Sequence, residues 1–175
     1  MLDVIHFNLV SAFLFKKQTC KKFLNYTLRS MSFSDALRSI RIYKKVFPDR
    51  GYNVFRSVFL IFIARHFSFV AVNKRNEVIG FEFCRFSRED IENGTVHESF
   101  IGVLTSDSGK GVASKLREFS SHVFEKNGLK GVSSRIVLSN IGSLKSARKL
   151  GFRVVKTYIN DDGKEEAYLI KWFSQ

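Results

Sequence analysis

One stretch constrains the fold more than any other: Ile101-Gly102-Val103-Leu104-Thr105-Ser106-Asp107-Ser108-Gly109-Lys110-Gly111-Val112-Ala113. An apolar run that alternates like a strand stops at a Ser/Gly turn, and helical spacing takes over at once. Leu116, Phe119, Val123 and Phe124 then mark one face of a helix over Val112–Lys126. A helix that begins this way exposes several unpaired N–H groups and the positive end of its dipole, and glycines let a phosphate approach the backbone. Such a turn can cradle a pyrophosphate, although on its own it can equally be a tight connection. It is neither a Walker A loop, because Lys110 is followed by Gly111, nor a dinucleotide fingerprint, because the third glycine is missing.

The flanking sequence supplies the remaining elements. Residues 26–31 alternate as a short strand, and Ser32 to Asp35 offer capping oxygens to a helix whose stripe is Leu37, Ile40, Val46 and Phe47. Pro48 ends that helix, and a second is expected over 53–65. Strands are expected over 67–72 and 78–86, joined by the hairpin signal Asn73-Lys74-Arg75-Asn76, and over 95–104. After the Asn127-Gly128 cap of the long helix come a strand at 132–138, a helix at 141–150 stopped by Gly151, and a hairpin of 152–159 with 166–173. The expected order is β-α-α-β-β-β-α-β-α-β-β. This is an α/β (α+β) fold, a mixed and mostly antiparallel central sheet flanked by helices.

Composition narrows the partners. The chain of 175 residues is one domain's worth, and 19 Phe predict an aromatic core. A net charge of +13 favours anionic ligands. The basic pairs Lys16-Lys17, Lys21-Lys22, Lys44-Lys45 and Lys74-Arg75 are scattered rather than interleaved with stacking aromatics, so nucleic acid is not favoured. Cys20 and Cys84 form no CxxC pair and imply no disulfide framework, which points to a reducing cytoplasm. No pairing of His6, His66 and His122 suggests a metal site. The apolar run 58–64 reads as a buried helix turn. The first fifteen residues are apolar but carry Asp3, unlike a signal peptide, and Lys16-Lys17 stop them short of the ~20 residues a membrane span needs. They read as a helix packed on the domain or lying on a membrane surface. Residues 1–22 are therefore taken as an apolar, basic extension and 23–175 as the domain proper.

Taken together, the strand–turn–helix, the strand and helix that follow, and the Lys149-Leu150-Gly151-Phe152 ending resemble the GNAT acetyltransferase family from Tyr26 to Phe173. The resemblance implies acetyl-CoA as cosubstrate, with Ile101, Val103 and Leu104 of the fourth expected strand along the pantetheine. Ser108, Gly109, Lys110, Gly111, Val112 and Ala113 would hold the pyrophosphate, with Asn140 and Ser143 beside the cofactor. Two positions depart from the family pattern: Ser108 stands where Arg or Gln is usual, and Ala147 where a tyrosine often protonates the leaving thiolate. Tyr158 is the nearby phenol that could replace it. The implied chemistry is direct attack by a primary amine in a ternary complex; the acceptor stays open, a small metabolite or nucleotide-linked amino sugar suiting the basic surface and a protein N-terminus or lysine being the other class. A backbone N–H near Val103 would polarise the thioester carbonyl. His97 is the first candidate for the base, expected by strand alternation on the face of Ser99, Ile101 and Val103; Glu98 and Glu82 follow, the latter otherwise read as a solvated strand residue. The alternative is a module of the same fold that binds CoA or a phosphorylated ligand without turnover. A basic nucleic-acid-binding domain is the third reading.

Overall fold

The computed structural model describes residues 2–16, 20–46 and 54–174. Its elements are α1 (Leu2–Leu14), β1 (Lys21–Lys22), β2 (Tyr26–Ser30), α2 (Phe33–Val46), α3 (Val54–Phe62), β3 (Phe69–Asn73), β4 (Val78–Arg85), α4 (Arg88–Asn93), β5 (Thr95–Val103), α5 (Val112–Lys126), β6 (Gly131–Val137), α6 (Ile141–Lys149), β7 (Arg153–Ile159) and β8 (Glu165–Trp172). The strands lie in one sheet in the order β1-β2-β3-β4-β5-β6-β8-β7, antiparallel throughout except where β5 meets β6. The expected mixed, mostly antiparallel sheet is the one observed. Expectations on Lys17, Phe47, Pro48 and Asn53 lie outside the described residues.

Three elements differ from the sequence reading, the first being β1, an unexpected eighth strand that pairs Lys21 and Lys22 with Leu28 and Thr27 of β2. The second helix gives way to a 3-10 turn at Ala64–Phe67. The short helix α4 was not expected, although Ser87 and Asp90 cap it reciprocally and Gly94, at φ 70°, ends it in the left-handed region. The 58–64 run is not buried throughout: Leu60 and Ala64 point inward, whereas Val58 and Phe62 are exposed.

Each face of the sheet carries its own core. Leu116, Phe119, Val123 and Phe124 of α5 and Leu144 and Ala147 of α6 pack on one side, against Leu28, Phe69, Val132 and Leu169. Ile40 and Tyr43 of α2 and Leu60 of α3 pack on the other, against Val70, Phe81 and Phe83. Rings meet edge to face, as with Phe69 against Phe119 and Phe124 at 5.6 and 5.4 Å, so part of the phenylalanine excess is core packing, whereas Phe13, Phe33, Phe55 and Phe62 are exposed.

A bulge reorganises β5. Phe83 pairs with Phe100 and Cys84 with Glu98, so Ser99 has no opposite residue. The extra residue inverts the alternation. Glu98 faces α5, as do Ile101 and Val103 beyond the bulge, whereas His97 and Phe100 face the α2 side. The expectation that His97 shares a face with Ile101 and Val103 fails for this reason.

Beneath α5, polar groups tie four strands and helices together. Arg117 donates through Nε and Nη2 to both oxygens of Glu98 at 2.7 Å. It also donates to the Ser143 hydroxyl at 3.1 Å on α6, and Ser134 of β6 donates to Glu98 at 2.9 Å. Burial pushes the Glu98 carboxyl up, but the charge and hydrogen bonds of Arg117 outweigh it and hold the group below its ordinary value. Glu82 lies beside it on β4, fully buried rather than solvated, with one oxygen bonded to Ser120 at 2.9 Å and the other unpartnered. Burial, with the neighbouring Glu98 charge, pushes Glu82 up to about 8.

Removing one member of the buried pair leaves the other charged and unsolvated. Arg117→Met is expected to cost ~3–5 kcal/mol in chemical denaturation. From pH 6.5 to 8 the folded chain keeps a proton on Glu82 that the unfolded chain has lost, so stability should fall as pH rises, by at most ~1.4 kcal/mol per pH unit. Below that window His97, pulled down to about 4 by burial, acts in the opposite sense. Glu82→Gln should flatten the urea midpoint between pH 6.5 and 8; an unchanged slope would refute the assignment.

Candidate active site

The parallel pairing of β5 and β6 runs only from Thr95–Gly131 to Glu98–Ser134. Beyond the bulge β5 stays with β4 while β6 stays with β8, so the two strands part and leave a cleft. Antiparallel bonds recur at every second residue, and the N–H of Leu104 donates to Ile79 at 2.9 Å. Gly102 and Phe100 therefore turn their main chain toward β4, and Ile101 and Val103 turn theirs into the cleft. By the same alternation, from Leu138 donating to Glu165 at 2.9 Å, Arg135 and Val137 face the cleft from β6.

The cleft leads to the Ser/Gly turn. Gly109 and Gly111 have φ of 75° and 77°, the left-handed region that favours glycine, and a Cβ on either would meet open space. Ser108, Gly109, Lys110 and Gly111 are exposed, while Val112 is buried and anchors α5. No side chain caps α5, so its first N–H groups remain open to a ligand. The residues fit a diphosphate bound by bare amides. Lys110 pairs with Asp107 at 3.0 Å, an exposed bond weak enough for an anion to draw the ammonium away. Asn140 spends its side-chain oxygen on the Ser143 N–H at 3.1 Å, capping α6, and the Ser143 hydroxyl accepts from Arg117. Both therefore hold the helix end that flanks the cleft. Ser114 and Ser146 join α5 to α6 at 3.0 Å.

The three expected catalytic side chains are not gathered at the cleft. His97 is buried on the opposite face to Ile101 and bonds Ser133 at 2.8 Å, which donates to Asp90 at 2.6 Å. Burial holds its ring neutral near pH 7. Glu98 is spent on Arg117, and Glu82 is sealed beneath α5. The Ala147 methyl is fully buried in the core, so nothing from that position reaches the cleft.

Tyr158, singled out from the sequence, and several residues that were not frame the open end of the cleft on the α2 side. Glu166 of β8 pairs in register with Val137, and Tyr158 of β7 donates to its carboxylate at 2.7 Å. Burial and that bond push the Tyr158 phenol up to about 12, so it stays protonated. Arg135 lies on the same face, its guanidinium 5.6 Å over the Tyr168 ring, and Tyr43 stacks edge-on to Phe100 at 4.8 Å. Arg117 itself was legible: it falls on the 113-117-120-124 stripe of α5, where an arginine must find a buried partner. Glu166 carried no such signal, because its role depends on which strand lies beside β6.

Among the described residues no group of His, Cys, Asp and Glu could hold a metal, and no helix is long and apolar enough to cross a membrane. No curated protein sequence matches the chain. Among solved structures it is similar to a chain of the NatC complex bound to Gag peptide and CoA, with TM-score 0.74, 15% identity, and coverage of 86% of this chain and 100% of that one. Arabidopsis thaliana NAA60 in complex with acetyl-CoA gives TM-score 0.71 at 16% identity, over 85% of this chain and 99% of the other. An N-acetyltransferase from Staphylococcus aureus gives 0.70 at 21%, over 85% and 98%. At such identities the likeness is of fold. The model of the Acetyltransferase (GNAT) family matches residues 32–152, more than half of the chain and including the cleft and its turn. The chain belongs to the GNAT acetyltransferase family and is an acyltransferase.

Proposed function

We propose that this protein transfers the acetyl group of acetyl-CoA to a primary amine by direct attack in a ternary complex. The acceptor is an amine-bearing small metabolite or nucleotide-linked amino sugar. The observation that carries the reading is the continuity of the β5–β6 cleft with the uncapped, glycine-lined start of α5. Pantetheine would lie along the free main chain of Ile101 and Val103, with the diphosphate on the amides from Ser108 to Ala113. Attack by the amine nitrogen forms a C–N bond. The C–S bond breaks as the oxyanion collapses, and CoA leaves as thiolate. A main-chain N–H at Ile101 or Val103 would meet the developing oxyanion. Because Ser108 offers no long donor to phosphate, the bare amides and the +13 net charge would carry that part of affinity.

The acceptor ammonium must be held and must lose a proton before attack. Glu166 stands in register with Val137 beside the cleft, and Tyr158 fixes the orientation of its carboxylate. In this reading the amine enters on the α2 side against Glu166, and its proton passes to that carboxylate or to water. The buried His97, Glu98 and Glu82 instead stiffen the strands around the cleft. The free Cys20 and Cys84 suit a reducing compartment such as the cytoplasm.

Acetyl-CoA should raise the melting temperature, and thiol release should appear with at least one member of an amine panel. Binding without turnover on every amine would leave only a CoA-binding module. Gly111→Val places a β-branched residue at φ 77° and a side chain where phosphate would lie, and should raise the KM for acetyl-CoA tenfold or more. Glu166→Gln should raise the KM of the amine about tenfold and leave the KM for acetyl-CoA near its original value. Equal loss on both substrates would remove Glu166 from the acceptor side.

A further inference from the structure

We propose that α1 lays this protein on the surface of an anionic lipid bilayer. Two amide bridges fix how the helix is turned. Asn8 donates to the Phe86 carbonyl and accepts from the Phe86 N–H, each at 2.9 Å. At the other end the Lys16 main chain is clamped by Asn127 at 2.8 and 3.0 Å. These bonds are directional, and between them they set which residues face the domain: Val4, Asn8, Ser11, Ala12 and Phe15, together with Phe7, whose ring meets Phe86 edge-on at 5.1 Å. At ~100° per residue these span about two-fifths of the circumference. The rest of the helix turns outward, and apart from Asp3 and His6 it is apolar. Ile5, Leu9 and Phe13 form one stripe, with Val10 and Leu14 beside it, and Phe13 and Leu14 are 89% and 74% exposed. A helix of a water-facing domain normally does the reverse, with its apolar stripe inward. Among the described side chains of α1, the fully buried one is Asn8.

The surroundings choose the occupant. At the end of α1 clamped by Asn127 lie Lys16 and, next to Asn127 in the chain, Lys126, both exposed, and Lys21 and Lys22 follow on β1. The acids nearby along the chain are Asp3 at the far end and Glu125. An apolar face beside a group of lysines suits acyl chains under a layer of anionic headgroups. A second copy of the chain would set these lysines against their own images across a two-fold axis, in a molecule already carrying +13. Thirteen residues span ~20 Å, too short to cross ~30 Å of hydrocarbon, so the helix would lie flat in the interface.

Flotation of the full chain with phosphatidylcholine vesicles, with and without phosphatidylserine, tests this. Binding is expected only with phosphatidylserine, and it should weaken at high salt. Leu9→Ser with Phe13→Ser should lower binding tenfold or more, as should a Lys16→Gln, Lys21→Gln, Lys22→Gln variant. All five residues are exposed and distant from the cleft, so the acetyl-CoA thermal shift of both variants should match the parent and report an intact fold. No flotation, equal flotation on neutral vesicles, or no loss in the serine variant would overturn the proposal. So would a vesicle-free dimer that the serine variant dissolves, because the apolar face would then belong to a second copy.

Discussion

One residue too many on β5 is the constraint from which the rest of the site follows. Ser99 has no partner on β4, and the strand must bend and turn over to continue. Before the bulge β5 can pair with β6; after it the two strands part. The cleft is this parting, and its walls are backbone groups that a continuous sheet would have used on itself. The bulge is held by Arg85, whose Nε donates to the Ser99 hydroxyl at 3.2 Å. The same inversion sends Ile101 and Val103 to the α5 core while leaving their main chain open to the cleft.

A parted sheet needs bracing, because strands that do not pair with each other have lost their cheapest restraint. The bracing is polar and buried. Arg117 reaches from α5 to Glu98 on β5 and to Ser143 on α6, and Ser134 adds β6 to the same carboxylate. Such a pair adds little net stability over a well-packed apolar core, but its forked geometry fixes positions in a way that apolar contacts do not. Glu82 completes the layer as a neutral acid, since two carboxylates beside one guanidinium cannot both keep their charge at low cost. The loop needs no such bracing: two glycines in the left-handed region and a buried Val112 suffice to present the amides of α5 outward.

Much of this was legible in the residues. Val112–Lys126 is a helix with the expected bounds, and the Ser/Gly turn before it is exposed as its composition suggests. The strands fall within one or two residues of the alternating runs, because period and turn chemistry are local properties. What failed was face and burial. Glu82, flanked by Phe81 and Phe83, reads as a solvated strand residue only if α5 does not cover that side. His97 reads as a cleft residue only if β5 alternates without interruption. Glu166 could not be singled out at all, because nothing near it in the chain tells that β8 inserts between β6 and β7.

The sequence by itself determined the elements, the glycine turn and the charge that suits an anionic cosubstrate, since each depends on backbone preference and composition over a few neighbouring residues. Only the tertiary structure decided which side chains stand at the cleft and which are sealed beneath it. A bulge, a strand order and two asparagine bridges are contacts between segments far apart in the chain, and each changes a residue's surroundings without changing its neighbours.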